Sequence, residues 1–421
     1  MNVYDGQRIA SMLRGRGYTQ TDDYTDADII ILNTCAVRAK ATDKVFSALG
    51  RMRTEKKPDA IMGIVGCVAR ESGADAFRRV PELNFVLGPQ SYHKLPEILE
   101  NPDVRLFNID LGGLEKFDEM PQMDASPAVA YIPIQEGCNH CCTYCIVPYT
   151  RGREISRPYD DVVRDTIHAA NTGAIEICFL GQNVNGYKYT DENGKIYRLS
   201  DLIHAAAKLD AIKRIRFTSS YPTEMTDDLI DMFRTEPKLL PFLNMPIQSG
   251  SQNVLTRMNR PYTLDLYIDI VDKLKTARPD VQISSDFIVG FPGESDDDFE
   301  QTLAIAKRIK YINSFSFKYS PRPHTAAAVM PNQIPEKIKS QRLYKLDALL
   351  NEIQREFNES CINRELICLC EGPDKTGQHT IYRTPYMQQC IVNISADTAP
   401  QIAKIKITAA NKASLRGEIV E

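Results

Sequence analysis

The segment CNHCCTYC, residues 138–145, carries four of the chain's eleven cysteines. Thiolates packed this closely along a chain bind metal, and which metal depends on which of them converge. Two registers of three are open: Cys138, Cys142 and Cys145, or Cys138, Cys141 and Cys145. All four together are a candidate structural zinc site. Zinc sites, however, usually pair two separated knuckles, and the adjacent Cys141 and Cys142 do not easily both reach one tetrahedral ion. Three thiolates on one loop suit three irons of a 4Fe–4S cube. The fourth iron is then left without a protein ligand, and an open position is what a catalytic metal needs.

Other chemistry-bearing residues lie where apolar runs end. Cys35 in NTC and Cys67 in VGC are two of them. Taken alone, buried cysteines at such places are more often inert core residues. FLGQN, TSSYP, PIQSGS and DFIVGFPGE bring Gln182, Ser220, Gln248 and Asp286 to similar positions. These side chains are of a kind that orients a ribose, an adenine or a carboxylate. Gly290 and Gly293 would let backbone approach a ligand closely, although βα turns also use Gly and Ser for geometry alone. Arg151, Arg153 and Arg157 follow the cysteine loop. They are candidates for RNA phosphate or a cofactor carboxylate, or for a solvated loop.

The elements that must position these residues alternate in kind. Over residues 1–105 the apolar runs 28–33, 61–66 and 84–88 alternate with helical patterns, including 40–52 and 94–100. The pattern predicts a small parallel α/β layer of flavodoxin-like type. Cys35 and Cys67 then sit at the carboxyl edge of its sheet, where open α/β sheets bind ligands. The layer opens on a helix (MNVYDGQRIASMLRGRGY) rather than a strand, so its first strand is expected to be missing. Residues 106–123 read as a linker, the aperiodic stretch reaching Pro127. Residues 124–357 hold six strand-and-helix units, which predict a (βα)6 partial TIM-type barrel with its chemistry at the strands' carboxyl ends. Residues 358–421 change to short strands with turn residues between them, a small β-barrel.

Composition narrows the class. The chain has 421 residues, is 43% hydrophobic and 25% charged, and carries a net charge of −4. That balance excludes a protein basic throughout, though not one with a local basic face. Lys404, Lys406, Lys412 and Arg416 give the tail such a face. No apolar stretch approaches the ~20 residues a membrane span needs. Eleven cysteines in a long chain do not read as a disulfide framework, so a reducing, cytoplasmic setting is expected.

At the mouth of a βα barrel, a loop of this kind resembles the radical S-adenosylmethionine (SAM) superfamily. Its C-x3-C-x-aromatic-C pattern matches Cys138, Cys142, Tyr144 and Cys145, and leaves Cys141 a bystander. NTCAVRAKATDKVFSALGR, VGC, CNHCCTYCIVPYTRGREISRP, LGQNVNGY and SLRGEIV are together similar to the methylthiotransferase family of that superfamily, over nearly the whole chain. The resemblance implies a 4Fe–4S cluster on Cys138, Cys142 and Cys145 that binds SAM, with Tyr144, Gln182, Ser220, Gln248, Asp286 and Gly290 about the cofactor. It implies a second, auxiliary cluster on Cys35 and Cys67, and a C-terminal TRAM module that contacts RNA. The implied reaction sets sulfur and a methyl group on C2 of N6-isopentenyladenosine next to the tRNA anticodon, with SAM as methyl donor and radical source. The family's other branches act on threonylcarbamoyl-adenosine in tRNA or on a ribosomal-protein aspartate. A non-catalytic, metal-holding RNA-binding protein is the alternative of another class. Implied partners are tRNA, an electron donor such as a flavodoxin or ferredoxin, and iron–sulfur assembly and sulfur-delivery proteins; the chain is expected to be a monomer. The family's third auxiliary cysteine belongs to the first strand, so that cluster is expected to be weak or absent here. No protein acid or base is assigned.

Overall fold

The computed structural model describes all residues except 37–38, 102–104, 114, 120–127 and 421. The N-terminal layer runs α1 (Asn2–Arg14), β1 (Ile29–Thr34), α2 (Ala39–Glu55), β2 (Ile61–Gly66), α3 (Cys67–Ser72), α4 (Asp75–Arg79), β3 (Phe85–Leu87), α5 (Leu95–Glu100), β4 (Leu106–Asn108) and α6 (Glu115–Glu119). Its four strands are parallel and lie in the order β1-β2-β3-β4. A parallel sheet covered by helices on both faces must be apolar on both. Successive side chains of β2 accordingly feed two cores. Met62 and Ile64 pack with Ile30, Phe46 and Leu49, while Val65 packs with Ile9, Met12, Phe85 and Tyr92. Gly63 has no room for a side chain, because a Cβ there would stand 2.3 Å from the Phe85 ring.

The sheet extends beyond the residues expected for it. Leu106–Asn108, read as the start of a linker, is its fourth strand. It is an edge strand of three residues whose middle side chain, Phe107, is 43% exposed, so it lacks the apolar run that marks the inner strands. The stretch read as linker also holds α6; residues 114 and 120–127 of it lie outside the described residues.

The next elements are β5 (Val129–Pro133), β6 (Gln135–Glu136), α7 (Val147–Arg151), β7 (Ile155–Ser156), α8 (Tyr159–Asn171), β8 (Glu176–Leu180), β9 (Lys188–Thr190), β10 (Ile196–Arg198), α9 (Leu199–Ala207), β11 (Arg214–Phe217), α10 (Asp227–Thr235), β12 (Phe242–Asn244), α11 (Gln252–Arg257), α12 (Leu264–Ala277), β13 (Gln282–Ser284), β14 (Asp286–Val289), α13 (Asp296–Ile309), β15 (Phe315–Lys318) and α14 (Glu336–Ser360). Six parallel strand positions follow chain order, with a helix after each, as expected of a (βα)6 partial barrel. The fifth position is broken at Ser285: β13 pairs with β12, and β14 pairs with β15. The β9–β10 hairpin and α11 are additions the sequence pattern did not mark.

Two compact units result. One joins Met1–Ala125 with Pro133–Arg157 and Ser320–Ala328; the other joins Ser126–Ile132 with Pro158–Tyr319 and Val329–Glu421. The cysteine loop and the segment after β15 therefore belong with the N-terminal layer. Among the described residues no helix is long and apolar enough to cross a membrane.

The C-terminal residues form β16 (Glu365–Pro373), β17 (Thr380–Arg383), β18 (Gln389–Val392), β19 (Ile402–Ala410) and β20 (Ser414–Val420), closed into a barrel in the order β16-β17-β18-β20-β19. Closure leaves no free sheet edge. Leu366, Cys368, Tyr382, Cys390, Ile405, Ile407 and Leu415 fill it, and Cys370 packs partly against them, on the same side as Cys368. Arg214, buried at the start of β11, ties this barrel to the larger one within the second unit. Its Nε donates to Glu176 at 2.7 Å, and its two Nη atoms donate to the carbonyls of Ile367, Arg383 and Thr384, each at 3.1 Å.

Burial raises the cost of ionising Glu176, but Arg216 and Arg214 outweigh it and hold its pKa below the ordinary 4.5. A depressed carboxylate stabilises the fold above its unfolded-state pKa, and that contribution is lost as pH falls through the folded-state value. Arg214→Met leaves Arg216 on Glu176 but strips the donor from the Ile367, Arg383 and Thr384 carbonyls, and should lower unfolding free energy by about 1–3 kcal/mol. Denaturant titration reads the loss, and hydrogen exchange should place it in β16–β20. A change below about 1 kcal/mol, the range of an exposed pair, would show that Arg214 does not tie the two barrels.

Candidate metal centre

The cysteine loop is closed at its base by a two-rung ribbon, in which Gln135 pairs with Ser156 and Glu136 with Ile155. Just inside it, the Cys138 N–H donates to the Gly152 carbonyl at 3.2 Å. Gly137 sits at φ 76°, and a Cβ there would lie 2.0 Å from the Arg153 carbonyl oxygen, so only glycine fits. Further along, the Cys145 N–H donates to the Cys142 carbonyl at 3.0 Å, and the Val147 N–H points at Cys145 Sγ at 3.5 Å. The Ala327 N–H, from the segment after β15, holds the Thr143 carbonyl at 2.9 Å.

The four thiols are not equivalent. Cys142 is buried, Cys138 and Cys145 are half-buried, and Cys141 is exposed, its thiol turned to the Asn139 carbonyl at 3.7 Å. Tyr144 is half-buried. Burial pushes the Cys138 thiol up to about 12, so a metal must displace its proton on binding.

Four buried charges pin the two ends of the loop. Glu136, two residues before Cys138, accepts from Arg151 Nη1 and forms an ion pair with Lys116 Nζ, each at 2.5 Å. Arg151, at the end of α7, also reaches Asp5 of α1 at 3.3 Å, and Lys116 of α6 lies 3.7 Å from Asp5. Lys116 donates further to the Pro89 carbonyl at 3.1 Å. Burial alone would raise the pKa of Glu136, but Lys116 and Arg151 reverse this and hold it below the ordinary value.

Two expectations change here. Arg151 is committed to this network, and Arg157 is buried with its Nη1 on the Pro133 carbonyl at 2.9 Å, so neither is free to meet RNA phosphate. Arg153 alone of the three is exposed. Asp5, Lys116 and Glu136 were not foreseen, because a lone charge in a helix or linker pattern reads as a solvated face.

Cys35 and Cys67 follow directly on β1 and β2. Thr34 and Gly66, the last residues of those strands, are paired, so the two cysteines stand side by side at the sheet's carboxyl edge. Thr34 Oγ1 locks this edge by donating to the Val65 carbonyl at 2.6 Å and accepting the Val68 N–H at 3.1 Å. Gly66, at φ 95°, lies against the Thr34 carbonyl, which a Cβ would approach to 2.4 Å. Cys67 is buried and Cys35 half-buried.

The second unit carries the other polar candidates. Gln182 is half-buried beyond β8, and Ser220 is buried beyond β11 with a hydroxyl that has no hydrogen-bond partner among the described residues. Gln248 holds the left-handed backbone, φ 71°, that side-chain-bearing residues avoid. Its N–H donates to the Asp286 carbonyl and its own carbonyl accepts the Ile288 N–H, both at 2.9 Å. Asp286 thus lies at the break in the fifth strand, one residue before Phe287, the bridge partner of Gln248, rather than past a strand's carboxyl end. Gly290 and Gly293 both have positive φ, and what a Cβ would meet is Lys339 Cγ at 2.4 Å for the first and Arg257 Nη1 at 1.7 Å for the second. Gly290 also donates its N–H to Glu294 at 2.8 Å, which Arg342 holds at 2.7 Å.

Among the described residues no three His, Cys, Asp or Glu side chains are gathered to hold one metal ion. Three thiolates on one short loop, each able to take its own iron, are a donor set that fits a cube with three protein-bound irons.

Comparisons with known proteins decide the family. The radical SAM superfamily profile matches residues 132–306, and that of an uncharacterized protein family, UPF0004, matches residues 1–88. The tRNA-2-methylthio-N(6)-dimethylallyladenosine synthases of Rickettsia canadensis and Rickettsia bellii are each 44% identical over 431 aligned residues, covering all of this chain and 97% of theirs. This chain belongs to the tRNA-2-methylthio-N(6)-dimethylallyladenosine synthase family. Membership in the radical SAM superfamily implies a 4Fe–4S cluster and SAM. Among solved structures, the radical SAM methyltransferase TsrM from Kitasatospora setae matches at TM-score 0.56 and 13% identity, over 88% of this chain and 76% of that one. Its form with cobalamin and a 4Fe–4S cluster matches at TM-score 0.54, over 77% and 71%. At that identity the likeness is one of fold.

The unequal burial of the thiols gives a direct test. After anaerobic reconstitution, Cys142→Ser should lose about four irons per chain, and Cys141→Ser should lose none, on one cube per cysteine set. Equal loss in both would refute the register that leaves Cys141 out.

Proposed function

We propose that this chain methylthiolates C2 of N6-isopentenyladenosine at position 37 of tRNA, next to the anticodon. Carrying this reading is the identity of 44% over the whole chain to enzymes named for that product. When bound, a 4Fe–4S cube with SAM supplies a 5′-deoxyadenosyl radical, and SAM supplies the methyl group as well. An aromatic C–H at that carbon is neither acidic nor electrophilic, so acid–base side chains are not what the reaction requires.

What the chain's own residues do follows from their placement. Cys138, Cys142 and Cys145 hold the first cluster on a loop whose ends are tied down by Glu136 and Arg151. Ser220, with its buried and unpartnered hydroxyl, and Gln248, held in strained backbone by β14, serve the cofactor together with Gln182, Asp286 and the Gly290 turn. Strain of this kind persists only where the surroundings enforce it, and it clusters at working sites. Cys35 and Cys67, side by side at a sheet edge, are ligands of the auxiliary cluster where sulfur is delivered. The C-terminal barrel grips tRNA phosphate through its lysines. A reducing cytoplasm, a flavodoxin- or ferredoxin-type electron donor and sulfur-delivery proteins complete the setting, and the chain works as a monomer.

Reduced, reconstituted protein should convert SAM to 5′-deoxyadenosine, and its yield of thiomethylated nucleosides from isopentenylated tRNA should follow the iron bound beyond the first four, on one cube per cysteine set. Cys35→Ala should keep the first activity and lose the second. Absence of 5′-deoxyadenosine from the unaltered protein would overturn the radical reading, and loss of only a ribosomal-protein modification in a deletion strain would overturn the substrate. Ser220→Ala should raise the SAM dissociation constant roughly 3- to 10-fold, the worth of one hydrogen bond, measured by equilibrium binding to the clustered protein.

A further inference from the structure

Arg322 lies in the segment after β15 that packs with the N-terminal layer. It is 7% exposed. Its Nη2 donates to the carbonyl of Ala36, the residue after Cys35, at 2.6 Å. Glu71 of α3 is its carboxylate partner, at the long distance of 3.8 Å, and Glu71 also accepts from Thr42 at 3.0 Å. A buried guanidinium is ordinarily matched by a close, bidentate carboxylate. Among the described residues this one is not so matched. Burial lowers its pKa, and Glu71 and Cys35 offset that only in part. Arg151, by contrast, has two carboxylates within 3.3 Å and is neutralised inside its own network.

We infer that Arg322 is a positioning residue for the Cys35 site, supplying the positive charge that faces negatively charged sulfur there and fixing the backbone through the Ala36 carbonyl. The ligand class is anionic sulfur: the Cys35 thiolate, the cluster it would hold, and a sulfide carried on that cluster. The inference rests on reading Cys35 as an auxiliary-cluster ligand and adds the cation that reading lacks. It also explains why a chain segment between β15 and α14 is committed to the N-terminal layer.

The test uses the full-length, cluster-free protein. Cys35 is alkylated with iodoacetate, an anion, and with iodoacetamide, its neutral analogue, and the rates are read on the Cys35 peptide by mass spectrometry. Their ratio cancels thiolate content and reports local charge. The unaltered protein should favour iodoacetate relative to glutathione. Arg322→Gln should lower the ratio roughly 3- to 10-fold, the effect of one nearby charge partly screened by solvent, whereas Arg322→Lys should keep it. An unchanged ratio in Arg322→Gln overturns the inference. Loss in both variants also overturns it, leaving only a structural hold. If Arg322→Gln fails to fold, seen as faster labelling of Cys67 by both reagents, Glu71→Gln carries the test. Removing that countercharge should raise the ratio above that of the unaltered protein, and no rise would refute the charge. Iron content separates this result from the underlying reading. A fully reconstituted protein with about four irons rather than about eight, on one cube per cysteine set, has no auxiliary cluster, whatever the alkylation ratio shows.

Discussion

The cysteine loop depends on four charges that never meet water. Asp5, Lys116, Glu136 and Arg151 are each at most 7% exposed, two acids against two bases. Taking such groups out of water costs several kcal/mol apiece, and their mutual attraction repays this only with good geometry. A network of this kind is a poor source of net stability and a strong source of direction. Each guanidinium and ammonium N–H needs a particular oxygen, so the loop's first strand and last helix can adopt one arrangement against α1 and α6. Three thiolates on a short loop can then be presented to three irons without the loop having to find its shape on binding.

The same economy runs through the rest of the fold. Parallel strands end at one edge, so whatever follows them is gathered there. In the N-terminal layer this sets Cys35 beside Cys67 through the single rung Thr34–Gly66. In the barrel the fifth strand gives up continuity at Ser285, and Gln248 enters the gap, paired to β14 on both its backbone groups. The positive φ of Gln248 is tolerated because those two hydrogen bonds over-determine it.

How much of this could be read from the sequence depended on the range of the interaction. The inner strands, α14 and the C-terminal barrel have local signatures, an apolar run or a period, and are found where expected. β4 has none: three residues, with Phe107 facing outward. The break at Ser285 is invisible because VQISSDFIVG remains an unbroken strand pattern on either side of it. The cysteine pattern was legible because a tight loop is local. The groups that hold it were not, because Asp5, Lys116 and Arg322 each find their partners far along the chain. Arg151 and Arg157 show the error most clearly. Cations beside a metal loop suggest an anionic substrate, yet both are spent on distant carboxylates and carbonyls.

The glycines make the same point from the other direction. Gly290 suggested a backbone that a ligand must approach. In the structure the space a Cβ would take is filled by Lys339, whose Nζ goes on to the Tyr319 carbonyl at 3.1 Å. Gly293 is likewise closed by Arg257, which donates to the Pro292 carbonyl at 3.0 Å. A turn gripped from outside by two cations cannot open or shift to suit a ligand. The missing side chains thus serve rigidity before they serve access. Any cofactor at that edge meets a surface whose shape was set when α11 and α14 packed behind it.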